Sequence, residues 1–281
     1  MTQASDLKLA WIDSHAHLDA LEFDDDRDAV REQARRLGVR HCILPAVERA
    51  NFLCVQSLAR QWGDSYALGI HPLYTLGAQE SDLQVLDQSL TQNARDPCLV
   101  ALGEVGLDGF VAGMDWSRQL FFYEQQLLLA KKHALPLILH VRRSSDALLK
   151  GLKSTGSHGG IAHAFNGSLV QAHHFMDMGF CLGFGGAVTY ERALHLRRLL
   201  VELPLAHIVL ETDSPDIPPQ WLYVKASERA LGSKPARNSP VELPRIAQLI
   251  CEIKGVSLEE LSCQSCLNVA RVLPRLVLAP I

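Results

Sequence analysis

Eight short runs rich in Val, Ile and Leu punctuate the chain, at 9–14, 41–47, 65–71, 98–104, 135–140, 160–165, 180–185 and 206–213. Each is near-continuous rather than alternating, and too brief for a buried helix, which predicts strands covered on both faces. Between them apolar residues recur at helical spacing, as in 25–37, 117–133, 168–178 and 191–202. Strands alternating with helices predict a parallel sheet of the α/β class. Eight such units fit a closed (β/α)8 TIM barrel, with a doubly wound open sheet as the alternative. The tail, 240–273, reads as two extra C-terminal helices packed against the barrel. No repeat, linker or low-complexity run divides the sequence, so 1–281 reads as a single domain.

Composition narrows the classes. With 281 residues, 48% hydrophobic and 21% charged, the chain can bury a substantial core. A formal charge of −4 provides no whole-molecule field for nucleic acid or an anionic membrane, so any phosphate recognition must be local. The start, MTQASDLKLA, has no apolar signal region and no later run is long enough to span a bilayer, so a cytoplasmic protein without membrane or obligate protein partner is expected. Seven scattered cysteines do not resemble a disulfide framework. The C-x-x-C of Cys263 and Cys266 lies in a helical stretch without a second pair or nearby histidine, and reads as buried small hydrophobes.

The chemistry lies where the strands end. WIDSHAHLD, at 11–19, places two imidazoles one residue apart. In an extended segment His15 and His17 would project to one side, about 6–7 Å apart along the backbone. His71 ends strand three, Glu104 strand four, His140 strand five, His163 strand six and Asp213 strand eight. In a barrel, C-terminal strand ends converge on one mouth, so these seven residues would surround one cavity. Five neutral imidazoles and two carboxylates form a nitrogen and oxygen donor set suited to Zn, Mn, Fe or similar divalent ions. The remaining histidines, at 41, 133, 158, 173, 174, 195 and 207, fall in helices, loops or strand starts and read as surface or structural.

These motifs resemble the TatD family of metal-dependent hydrolases, within the wider amidohydrolase-like barrels. The likeness runs from strand one to the C-terminal helices. It is carried by D-S-H-A-H-L-D at 13–19, G-I-H-P at 69–72, G-E-V-G-L-D at 103–108, L-P-L-I-L-H-V-R at 135–142, H-A-F-N-G-S at 163–168, L-E-T-D-S-P at 210–215 and R-N-S-P at 237–240. The resemblance implies two divalent ions (Zn, Mn, Mg or similar), one at His15, His17 and Asp213, the other at His140 and His163, with Glu104 bridging. It also implies phosphodiester hydrolysis, often as a deoxyribonuclease, on DNA or a small phosphodiester. Family members commonly carry an acidic residue in R-N-x-P, where this chain has Ser239, and the loop GFVAGMDW after Asp108 departs from the family's aromatic-rich segment. Many amidohydrolase relatives bridge their metals with a modified lysine from strand four, whereas here Glu104 holds that place.

Two metal ions about 3.5–4 Å apart can lower the pKa of a shared water and stabilise charge on a phosphate oxygen. On this basis Asp213 serves as ligand and proton acceptor, while His71 and Arg142 contact the scissile phosphate, Arg142 through its guanidinium fork. Glu211, one layer deeper on the same side as Asp213, would either hold a histidine's other nitrogen or simply pack in the barrel. Arg142, Arg143, Lys225, Lys234 and Arg237 are the local groups that could meet nucleic acid, the alternative for Lys225 to Arg237 being a solvated loop. The loop 216–239, with Pro218, Pro219, Trp221 and Tyr223, would either overhang the mouth and stack a base or form a surface excursion. Competing readings are an amidohydrolase acting on a cyclic amide or lactone, and a metal-binding protein without turnover.

Overall fold

The computed structural model describes residues 9–225, 227–228, 232 and 236–277. Eight strands form one parallel sheet in sequential order: β1 (Trp11–Asp13), β2 (Val39–Pro45), β3 (Ser65–Leu68), β4 (Leu99–Asp108), β5 (Leu137–Arg142), β6 (Gly160–His163), β7 (Phe180–Phe184) and β8 (Ile208–Leu210). The segments after β1 and β8 close the circle. Ser14 N–H donates to the Leu210 carbonyl (3.0 Å), Asp213 N–H to that of His15 (2.9 Å), and His17 N–H to that of Ser214 (2.7 Å). The result is a (β/α)8 barrel, and the open-sheet alternative is set aside.

Seven crossover helices ring the barrel: α1 (Arg27–Arg36), α2 (Phe52–Trp62), α3 (Glu80–Gln92), α4 (Trp116–His133), α5 (Ser145–Thr155), α6 (Leu169–Asp177) and α7 (Leu194–Glu202). Their apolar faces meet the outward side chains of the strands in one continuous core that includes Leu44, Leu68, Leu102, Leu139 and Leu182. Arg31 of α1 is buried there. It donates to Asp64 at 2.5 and 2.6 Å and to the Val39 carbonyl at 2.9 Å, pinning α1 to the strands beside it.

Inside the barrel, period-two alternation builds layers. The lower layer is apolar: Ile12, Ile43, Ala67, Ala101, Ile138, Ile161, Cys181 and Val209 form a separate cluster. The two tail helices are present, as α8 (Leu243–Lys254) and α9 (Leu258–Val272). The α9 residues Val269 and Val272, with Leu273, join the lower layer and plug the barrel floor. Asn268 donates to the carbonyls of Leu205 and Ile208, each at 2.8 Å, and Ser262 to that of Ala10 at 2.6 Å, latching the plug to strands at both sides of the closure. Of the C-x-x-C pair, Cys266 is half-buried with its sulfur 3.3 Å from the Ala10 carbonyl, whereas Cys263 is exposed, contrary to the burial expected for both. Three residues apart on one helix the two share a side, with Cys266 at its inner part against Ala10 and Cys263 at its solvent edge.

Two residues above the apolar layer the inward positions turn polar. His140 follows Ile138, His163 follows Ile161 and Glu211 follows Val209. Glu104 does not end its strand, as its motif suggested; β4 runs on to Asp108. The register with β5 slips between Leu102 and Val105, so one extra residue sits on β4 there. Such a bulge re-aims a side chain, here Glu104, within a strand that stays paired.

Candidate metal centre

Glu104 is 2% exposed and lies at the middle of a histidine cluster. Its Oε2 is 3.0 Å from His15 Nε2 and 3.4 Å from His17 Nε2, while those two nitrogens are 3.1 Å apart. Asp213 Oδ1 completes this set at 3.6 and 3.7 Å from the same nitrogens. The other oxygen, Oε1, is 2.8 Å from His140 Nδ1, 2.9 Å from His163 Nε2 and 3.3 Å from His71 Nε2. All seven residues read from the strand ends therefore meet in one place.

Hydrogen bonds on the far side of each ring determine what the near side offers. His17 Nδ1 faces the Pro45 carbonyl at 3.2 Å, and His140 Nε2 faces Asp108 Oδ2 at 3.1 Å. A carbonyl or carboxylate demands a donor, so in the neutral form of these rings the nitrogen facing Glu104 is the one with the lone pair for a metal. Without a metal, and against their burial, the neighbouring carboxylates raise the proton affinity of both. His71 is the reverse. Its Nδ1 accepts the Leu73 N–H at 3.1 Å, so the neutral ring carries its proton on Nε2, the atom pointing into the cluster. His71 is thus a hydrogen-bond donor to the site, although its position alone would place it among ligands.

Burial opposes charge on Glu104, but the surrounding imidazoles outweigh it and hold the carboxyl well below its ordinary range. The same contest at Asp108, with His140 and the N–H groups of Phe110 and Val111 as partners, leaves that carboxyl lowered. Asp213 is raised, chiefly by burial. Its backbone is left-handed (φ 57°), a strained conformation for a non-glycine that is common at functional sites. Asn238 secures that turn by donating to the carbonyls of Thr212, Asp216 and Ile217.

Glu211 makes no hydrogen bond to a ligand histidine. Its Oε1 stands 4.0 Å from His163 Nδ1 and accepts the Ala164 N–H at 2.6 Å, while Oε2 and His163 Nδ1 are both buried without a partner. Burial pushes Glu211 up to about 8. It occupies the space over Gly183, where a Cβ would come within 2.0 Å of the carboxylate, so only glycine fits.

The cluster floors a cavity of about 1680 Å³ at the C-terminal mouth. Arg142 and Arg143 line it, whereas Lys225 and Arg237 do not. Arg237 is engaged elsewhere, by Asp26 at 2.7 and 2.8 Å. Lys234 lies outside the described residues. The loop after β8 sends Pro215, Asp216 and Ile217 into the lining, but Trp221 and Tyr223 point away. Trp221 donates to Glu242 at 2.7 Å under the Arg245 guanidinium, and Tyr223 packs on Tyr190. The aromatic groups at the mouth are instead Tyr74, Phe110 and Trp116, each partly exposed. Sequence reading missed Phe110 because the loop GFVAGMDW has no periodicity. It also passed over Asp108 and Asn238, although both stand in motifs quoted for the likeness.

A parallel barrel with buried histidines and carboxylates converging at its C-terminal rim is the frame of a metal-dependent hydrolase. A family profile described as TatD related DNase matches residues 12–274, and the chain belongs to this family. It is 37% identical to the uncharacterized metal-dependent hydrolase YjjV of Escherichia coli K12 over 260 residues, 92% of this chain and 95% of that one. It is 29% identical to the human deoxyribonuclease TATDN3, covering 94% of this chain and 95% of its relative. The crystal structure of the Escherichia coli YjjV protein superposes with a TM-score of 0.84 at 34% identity, over 94% of this chain and 98% of that one. No helix among the described residues is long and apolar enough to cross a membrane.

Proposed function

We propose that this chain hydrolyses phosphodiester bonds in DNA with two divalent cations. The observation that carries the reading is the division of Glu104, one oxygen facing His15 and His17, the other facing His140 and His163. His15, His17 and Asp213 would hold one cation, His140 and His163 the other, with Glu104 between them. When bound, such a pair supplies Lewis acidity and a water acidified toward neutrality.

The chain's own groups supply the rest. Asp213 takes the proton of the attacking water, a task eased because burial raises its proton affinity. His71 donates its Nε2 proton to a phosphate oxygen. Arg142, half-exposed with its guanidinium 4.0 Å over the Phe110 ring, offers a fork to the same phosphate. Asp108 and the Pro45 carbonyl hold His140 and His17 in the ligand tautomer. The cavity exceeds the usual small-ligand range of about 300–1,000 Å³, which suits a nucleotide chain. DNA as the substrate is supported by the name of the human relative.

The test is hydrolysis of a chromogenic phosphodiester, single-stranded DNA and duplex DNA with added Mn²⁺ or Mg²⁺, beside a panel of cyclic amides and lactones. Turnover of the phosphodiesters supports the proposal. Turnover confined to the amides or lactones overturns it in favour of an amidohydrolase, and retained metal with no turnover in favour of a binding protein.

A further inference from the structure

Charge around the mouth is one-sided. Acidic side chains Asp19, Glu22 and Glu48 line it after β1 and β2, and Asp216 after β8. The arginines among the described lining residues are Arg142 and Arg143, both at the end of β5. A substrate with one phosphate at the cluster and a second beside it meets acidic groups after β1, β2 and β8, uncharged side chains after β6 and β7, and arginines after β5, where Asp146 is the one neighbouring acid.

Both arginines are built into position. Their guanidiniums lie 4.0 and 4.7 Å from the centroid of one ring, that of Phe110. Stacking on an aromatic ring orients a guanidinium while leaving its N–H edge free. Phe110 is itself held, since its N–H donates to Asp108 Oδ1 at 2.7 Å. Arg143 has a left-handed backbone (φ 53°), and its carbonyl is packed so tightly against Gly109 that a Cβ there would lie 2.8 Å away. Neither guanidinium hydrogen-bonds to a described protein group; the nearest carboxylate to Arg142 is that of Asp108, at 3.8 Å. Asp146, the acid closest in sequence on the lining, accepts instead from Gln171 at 2.7 Å.

We propose that Arg143, set beside Arg142 by their shared ring Phe110, binds the phosphate next to the scissile one, making the site selective for substrates with two successive phosphates. Two forks on a single ring stand close enough to address neighbouring phosphates of one strand. Phe110 is a positioning residue in this arrangement. The inference rests on the phosphodiester reading above and names the substrate class of that site.

The experiment compares an oligothymidylate of three residues with the same oligomer in which one linkage is a neutral methylphosphonate, the other linkage remaining cleavable. Binding is measured by fluorescence anisotropy in EDTA, and hydrolysis with Mn²⁺. Each protein is scored by its ratio between the two oligomers, which cancels changes in folding or active fraction. The native protein should prefer the fully charged oligomer by on the order of tenfold, as expected of a charge-assisted contact. Arg143→Ala should bring the ratio close to one. Phe110→Leu should reduce it, with Phe110→Tyr restoring it, which a purely structural role would not do. An Arg143→Ala ratio equal to that of the native protein overturns the subsite, as does a native protein indifferent to the methylphosphonate. If the native protein discriminates in binding but cleaves no phosphodiester, the subsite stands and the proposed reaction falls.

Discussion

Replacing Asp108 with Asn tests whether the far side of a ligand ring governs metal binding. Asp108 is 1% exposed, and its Oδ1 already accepts the N–H groups of Phe110 (2.7 Å) and Val111 (3.0 Å). An asparagine must keep its oxygen there, which turns its amide NH₂ toward His140 Nε2, now 3.1 Å from a carboxylate oxygen. Two donors cannot face each other, so the imidazole shifts its proton to Nδ1, the atom 2.8 Å from Glu104 Oε1. The lone pair then leaves the cluster. Outer partners of ligand histidines are worth about 10–100-fold in metal affinity, equivalent to roughly 1.4–2.8 kcal/mol. Competition against a chromogenic chelator, with Zn²⁺ or Mn²⁺, should show this weakening in Asp108→Asn while circular dichroism melts stay close to those of the native protein. A folded variant with metal affinity within twofold of native would refute the tautomer argument.

Three other perturbations probe the same physics elsewhere. Asp213→Asn should abolish phosphodiester turnover while leaving the melting curve nearly unchanged; native rates in that variant would remove Asp213 from the chemistry. Arg31→Ala strands Asp64 in the core without its ion pair and should cost about 3–5 kcal/mol in urea unfolding. A loss under about 1 kcal/mol would mean the pair contributes no more than an exposed one. In metal-free protein Glu211, raised to about 8, binds a proton that the unfolded chain releases near the ordinary glutamate value of 4.5. Its contribution is therefore complete below about pH 4.5 and lost as pH rises through about 8. Glu211→Gln should lose that slope, so the difference between the native and variant stability profiles should change between about pH 4.5 and 8, and parallel profiles would contradict it.

How much of this was legible in the sequence follows from how local each feature is. Barrel strands buried on both faces leave near-continuous apolar runs, so all eight were visible, and the alternation that turns Ile138, Ile161 and Val209 inward also turns His140, His163 and Glu211 into the layer above. At β4 and β5 pairing runs on past the polar residues that end the apolar signal, whereas at β3 and β8 it stops at Leu68 and Leu210, short of His71 and Asp213, which stand in the loops just beyond. Roles that depend on one atom facing another were not legible. His71 and His140 are both histidines at a strand exit, yet one ring accepts a backbone N–H and the other donates to Asp108, which gives them opposite protons at the cluster. Which basic residues stay available to a substrate was not legible for a related reason. Arg237 is spoken for by Asp26, far away in sequence, whereas Arg142 and Arg143 are left with free edges by a phenylalanine in a loop that carries no periodic signal. Sequence pattern thus locates the rim, and through-space pairing decides which of its charges remain for a substrate.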